Sequence, residues 1–324
     1  MYKVKKLLFY NIIVIFFLII FFEIFLRLFT SINELGIEKN LFNLESKIRV
    51  HNKNIQSKVF GKISFIDNLG FRVPHINYQY KKNADSILVL GDSVSFGVGV
   101  LEEETFIGRL RKKYNNINIY NSSVIGHSNA DHIQLLNIYN QEIEFSKIFL
   151  IYCLNDIVNA SGVLTREDFY KKNYFLAKIN LFLRNKSYLY IYIKSLLTDP
   201  QKRHWDYTAP LYKDQKSLDF LETSFYQLKK ISENIDKKIY VIILPYEYQT
   251  RKENCNSNNL FPQDNIKKIL IKNNLDFIDL TQNFCEFKFS NEFFLKYDPV
   301  HLSVKGHEYV SQLLDHFLSN NNIN

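Results

Sequence analysis

Between residues 86 and 280, short apolar runs rich in Ile, Val, Leu and Tyr alternate with longer amphipathic stretches, and this alternation limits the fold more than any other feature. The runs at 86–90, 117–122, 147–154, 238–244 and 275–280 are near-continuously apolar, which is how a strand covered on both faces reads. Helices are expected between them at 105–114, 131–142, 218–235 and 265–272, with a last one at 304–318. Repeated strand–helix units imply an α/β fold, a three-layer α/β/α sandwich around a mainly parallel five-stranded sheet. The third and fourth runs are separated by far more chain than one crossover helix needs. We therefore place a helical insertion at about 161–214 inside a main domain of 85–320. The aromatic stretch 175–192 within it has helical spacing and is expected to be a core stripe.

The N-terminus has a different character. Residues 7–29 read LLFYNIIVIFFLIIFFEIFLRLF. A helix of that length reaches about 34 Å, enough to cross a hydrocarbon layer of about 30 Å. Glu23 and Arg27 stand four apart and are expected to pair on one helix face. Lys3, Lys5 and Lys6 precede the run, which places the N-terminus in the cytoplasm and the rest of the chain outside the cytoplasmic membrane. No small-residue cleavage site follows the run, so 1–30 reads as an uncleaved signal-anchor rather than a signal peptide. Residues 31–84 are polar and mixed, with one β-like stretch at 63–65, and read as a linker.

The 324 residues are 46% hydrophobic and 23% charged, with 10 Gly and 6 Pro, which excludes a disordered or collagen-like chain. The net charge of +8 comes from scattered lysines rather than a stripe, and no nucleic-acid-binding motif is present. Cys255 and Cys285 are candidates for a disulfide outside the cytoplasm, whereas Cys153 falls on a buried strand as an inert thiol. The spacing of His127, His132, His301 and His307 matches no zinc pattern, and no metal or cofactor is expected. His307, after Gly306 on the last helix, is expected to face solvent.

Open parallel sheets carry their chemistry at the carboxyl ends of the strands. Gly91-Asp92-Ser93 follows the first run, Gly126 lies in the loop after the second, Asn155-Asp156 follows the third, and Asp298-Pro299-Val300-His301 precedes the last helix. Taken singly, Ser93 and Asp92 are helix caps, Gly126 is a loop glycine and Asn155 a cap. Together they supply a hydroxyl, an imidazole, a carboxylate and oxyanion donors, the parts of a nucleophilic acyl-transfer site.

These four blocks, in this order, resemble those of the SGNH (GDSL-type) hydrolase superfamily. NLGFR at 68–72, GDSVSFGVGV at 91–100 and the Glu23–Arg27 pair are similar to membrane-anchored cell-envelope members. The resemblance spans about residues 60–318 and implies a flavodoxin-like sandwich. It also implies Ser93 as nucleophile, His301 as general base and acid, Asp298 as its orienting carboxylate, and Ser93, Gly126 and Asn155 as the oxyanion hole. Val94-Ser95 stands where the simplest pattern has Leu, and Cys153 where relatives carry Gly. The implied function is an extracytoplasmic esterase or O-acyltransferase acting on an acyl ester of an envelope glycan or lipid. The alternative is a non-enzymatic carbohydrate-binding or assembly component of a polysaccharide system.

Overall fold

The computed structural model describes residues 2–30, 32, 34–43, 46, 48–158, 174–287 and 290–320. Helix α1 runs Tyr2–Phe29 and is long and apolar enough to cross a membrane. Its side chains from Lys3 onward are exposed, apart from Ile13, Glu23 and Leu26. Strand β1 (Phe42–Asn43) pairs antiparallel with β2 (Val50–His51). Strands β3 (Ile55–Val59), β4 (Lys62–Ile66) and β5 (Arg72–Val73) form an antiparallel meander.

The central sheet is built from β6 (Ser86–Gly91), β7 (Asn118–Asn121), β8 (Lys147–Cys153), β9 (Lys238–Leu244) and β10 (Asp276–Asp279). All neighbours are parallel and the order is β7-β6-β8-β9-β10. That is the 2-1-3-4-5 order of flavodoxin-like doubly wound sheets, whose switch point falls between the first and third strands, here β6 and β8. Every residue of β6 is buried, and β8 and β9 are buried beyond their first residue, as strands covered on both faces must be.

Three helices follow in the first half: α2 (Ser93–Phe96), α3 (Phe106–Lys113) and α4 (Asn129–Glu142). On one face of the sheet, Ile87, Val89, Phe149 and Ile151 meet α3 and the last helix, Val304–Asn320, through Leu314 and Leu318. On the other, α4 packs beside the helix Gln215–Asn234, and Tyr152 lies 5.6 Å from the Phe225 ring. Alternating side chains of one strand thus feed both helical layers.

Two expectations change. The stretch read as a linker is folded: Leu41, Val59, Phe60 and Ile66 are buried together with Phe96, Val98 and Leu295. Its strands are two to five residues long, too short for period-two alternation to register. Residues 161–173 of the expected insertion lie outside the described residues. From Tyr174 the insertion is helical, with Tyr174–Lys186, Tyr188–Leu197 and Pro200–Thr208 in succession. The expected core stripe at 175–192 is not a core: Ile191 is buried, but Phe175, Leu176 and Phe182 face outward.

Cys255 and Cys285 are bridged, with Cα atoms 5.9 Å apart and a sequence separation of 30. A loop of that size stabilises the fold by about 3–4 kcal/mol through the entropy it removes from the unfolded chain. Replacing both cysteines by serine should lower the unfolding free energy by about 3 kcal/mol in urea titrations. Coincident curves for the two proteins would show that the bridge contributes nothing.

Candidate active site

Ser93 is placed by a tight turn at the end of β6. Asp92 caps α2, its Oδ1 accepting the Val94 N–H at 2.8 Å. Gly97 ends the helix at φ +84°, where any Cβ would also stand 2.3 Å from Thr105 Cγ2. The turn is held from behind by Arg72, which is wholly buried. Its Nη1 donates to the carbonyls of Phe96 and Gly97, and its Nη2 donates to that of Val100 at 2.6 Å. Its guanidinium also lies 4.5 Å from the centre of the Phe96 ring. Burial pulls its pKa down to about 10, so it stays charged at neutral pH.

Asp298 and His301 come from the opposite end of the chain. Their loop is closed by the Phe294–Leu302 bridge and by the Leu295 N–H donating to the His301 carbonyl at 2.8 Å. Asp298 Oδ1 accepts the N–H groups of Val300 at 3.0 Å and His301 at 2.8 Å. Its Oδ2 accepts from His301 Nδ1 at 2.8 Å. That bond fixes the tautomer and leaves Nε2 with its lone pair, 2.8 Å from Ser93 Oγ. The Phe60 ring meets the imidazole edge-on at 5.5 Å.

The electrostatics follow from these contacts. Burial opposes a charge on His301, but the Asp298 carboxylate outweighs it and raises the imidazole pKa. Burial likewise opposes the Asp298 charge, and the imidazole with two backbone N–H bonds lowers its pKa on balance. His301 accepts the serine proton only when neutral. Because its pKa is raised, that form is lost, as pH falls, at a higher pH than for free imidazole. The acid limb of any Ser93-dependent rate should therefore have its midpoint above about 6.5. A kcat/KM profile flat down to pH 5 would overturn this.

Asn155 lies in the short turn Leu154–Ile157 after β8, across the switch point from Ser93. Its Nδ2 donates to Asp92 Oδ2 at 2.8 Å, and its Oδ1 accepts the Tyr246 hydroxyl at 3.2 Å. Asp92 Oδ2 is also 3.4 Å from Ser93 Oγ. The carboxylate that caps α2 therefore ties Asn155 to the serine turn. Gly126 lies in the loop after β7 at φ +82°, and a Cβ there would stand 2.3 Å from Arg49 Nη1. Among the described residues it adds no hydrogen bond to the Ser93–His301–Asp298 chain. Asp156 points inward, accepting the Cys153 N–H at 3.2 Å. It faces His132 at 3.5 Å with neither side chain exposed. Burial pushes the Asp156 carboxyl well up and takes His132 down to about 4, so the imidazole is neutral at pH 7.

His307 does not face solvent. It is buried against α3, its ring 5.5 Å from that of Phe106 and its Nδ1 accepting the Phe106 N–H at 3.3 Å. Packing of the last helix across α3 covers its first turn. Two further residues shape the site without being marked by the motifs, Phe60 and Tyr246, while Arg72 closes the NLGFR block at 68–72. Tyr246 had a signal, because it follows β9 directly and strand ends are where such residues collect. Phe60 had none, lying in a turn of the short-stranded meander.

No family model matches the chain, and no curated protein matches it. Among solved structures it is similar to TesA, at 10% identity over 72% of this chain and 98% of that one, with a TM-score of 0.46. It is similar to the acetyl xylan esterase AlAXEase, at 14% identity over 72% and 99% of the two chains, with a TM-score of 0.46. A lipase/acylhydrolase from Enterococcus faecalis matches at 13% identity over 73% and 96%, with a TM-score of 0.44. What the site does must be read from its own atoms. A hydroxyl, an imidazole and a buried carboxylate form one hydrogen-bonded relay at the rim of a parallel sheet, with a side-chain amide held alongside.

Proposed function

We propose that this chain is a serine ester hydrolase of the SGNH type, anchored by α1 with its active centre outside the cytoplasmic membrane. The observation that supports the reading is the continuous relay from Ser93 Oγ through His301 to Asp298, at 2.8 Å for each link. Ser93 Oγ attacks the ester carbonyl carbon while its proton passes to His301 Nε2. The resulting oxyanion is met by the N–H groups of Ser93 and Gly126 and by the Asn155 amide. Collapse expels the alcohol, which takes the proton from Nε2, and leaves an acyl group on Ser93. A water or a sugar hydroxyl then gives its proton to Nε2 and attacks the acyl carbon, and as this second intermediate collapses the Ser93 C–O bond breaks and Oγ takes the proton back from Nε2. Hydrolysis and O-acyl transfer to an envelope glycan differ only in that acceptor.

The Asn155 role has its own test. Asn155→Ala should lower kcat by about 10²–10³-fold with little change in KM, because the amide acts on the transition-state charge. Tyr246→Phe removes only the bond that orients the amide and should cost less. A raised KM with kcat unchanged for Asn155→Ala would instead assign the amide to ground-state binding.

The deciding experiment uses the detergent-solubilised full chain with p-nitrophenyl acetate and a fluorophosphonate. Turnover with stoichiometric phosphonylation of the peptide containing Ser93 is expected. Addition of a soluble glycan acceptor then separates transfer from hydrolysis by where the acetyl group ends. Neither turnover nor labelling would sink the enzymatic reading in favour of a binding protein.

A further inference from the structure

Glu23 and Arg27 sit on α1, yet their partners belong to the insertion. Glu23 accepts from Arg27 Nε at 2.8 Å, from Ser187 Oγ at 2.8 Å, and from the backbone N–H groups of Tyr188 at 3.0 Å and Leu189 at 2.9 Å. Arg27 donates onward to the Lys186 carbonyl at 2.6 Å and lies 4.5 Å from the centre of the Tyr188 ring. One ion pair thus closes two helix ends at once: the last carbonyl of Tyr174–Lys186 and the first N–H groups of Tyr188–Leu197. Ser187 Oγ takes the Tyr190 N–H at 3.1 Å. Helix ends in water are satisfied by solvent; ends in lipid need protein partners, and these have them.

The two helices are also inside out for a water-soluble pair. Their polar contacts lie between them: Asn180 Oδ1 accepts both the Tyr190 hydroxyl at 2.6 Å and Lys194 Nζ at 2.7 Å. Their apolar stripes point away. Phe175, Leu176, Ile179 and Phe182 recur at helical spacing on the first, with Phe175 73% exposed. Ile193, Leu196 and Leu197 do so on the second, with Leu197 79% exposed. Ile191 turns inward and packs with Leu26 of α1, with Leu189 and Tyr192 partly buried beside them.

Depth follows from the helix rise. From residue 7, a hydrocarbon layer of about 30 Å is spanned near residue 26, so Glu23 lies about 5 Å inside its outer boundary. We infer that the helix pair 174–197 is immersed in the outer leaflet beside α1, its outward apolar stripes in contact with acyl chains. The surface it presents is continuous with the exposed apolar surface of α1. This rests on the reading of α1 as a membrane span. The pair also borders the active centre, since the Tyr192 ring lies 6.5 Å from that of Tyr297, the neighbour of Asp298. Immersion therefore sets the reactive serine at the level of lipid headgroups.

The test uses the full chain in vesicles of phosphatidylglycerol and phosphatidylcholine. Phe182→Cys and Leu197→Cys are labelled with a nitroxide, with Phe16→Cys on α1 and Tyr226→Cys on the body for reference. Cys153 is buried and the other two cysteines are bridged, so only the introduced thiol reacts. Collision with oxygen and with a water-soluble nickel chelate is then measured. Positions 182 and 197 should show an oxygen-to-nickel ratio several-fold above position 226, equivalent to a depth of about 5–10 Å. A ratio equal to that at 226, with 16 still lipid-like, overturns the inference and leaves the span intact. Aqueous values at 16 as well overturn both. Shielding of 182 and 197 from both reagents overturns it in favour of a second copy of the chain on this face. None of these readouts depends on ester turnover, so they are separate from the test of the active centre.

Discussion

Ser93→Ala abolishes ester turnover and phosphonate labelling while leaving the fold in place. The expected loss in kcat is roughly 10⁴- to 10⁶-fold, because removing the nucleophile disables the relay as a unit. Stability should change little, since the hydroxyl's short contact is with His301 and the turn itself is held by Asp92 and Arg72. A thermal melt of the variant controls for that. The informative comparison is Asp298→Asn. An amide there can donate to Nδ1, which moves the ring proton to Nε2 and removes the base; a loss of about 10⁴ in kcat is expected. If the serine variant keeps phosphonate labelling at full stoichiometry, the nucleophile lies elsewhere and the relay is structural. If only the asparagine variant stays active, His301 is a spectator to Asp298.

Arg72→Met is expected to be the most destabilising single change in the body of the protein. The methionine fills much of the same volume, but it strips the carbonyls of Phe96 and Val100 of the guanidinium donor in a buried region and leaves that of Gly97 with the Val100 N–H alone, at 3.4 Å. Each orphaned buried acceptor costs about 1–3 kcal/mol, and the set should total about 3–5 kcal/mol. The melting temperature should fall by roughly 10 °C. Activity should fall further than stability explains, since the three carbonyls belong to the turn that aims Ser93. A melting temperature within about 2 °C of the parent would show that water enters and replaces the guanidinium.

The parts of this molecule that were readable from residues alone share a physical cause. Strands β6, β8 and β9 are buried on both faces, so each leaves an unbroken apolar run, whereas the edge strand β10 has no buried residue; the run boundaries still differ from the strands by only one or two residues. Ser93, Asn155 and His301 were legible because strand ends and the approach to the last helix are few. What was hidden has equally definite reasons. The meander of β3, β4 and β5 buries two side chains per strand, below what periodicity resolves. Asp92 reads as a cap because it is one; its second oxygen accepts from Asn155, which lies 63 positions away in the turn after β8. The insertion helices carry spacing that suits a core, and spacing alone does not say whether the covering medium is protein or something else.

The nucleophile and its base are 208 positions apart, and the base precedes only the final helix. A chain still being made holds Ser93 with no partner to activate it. Assembly of the centre must wait until nearly the whole polypeptide has been synthesised, and such distant pairings form late. On the proposed function, the serine is thereby kept unreactive for as long as the chain is unfinished.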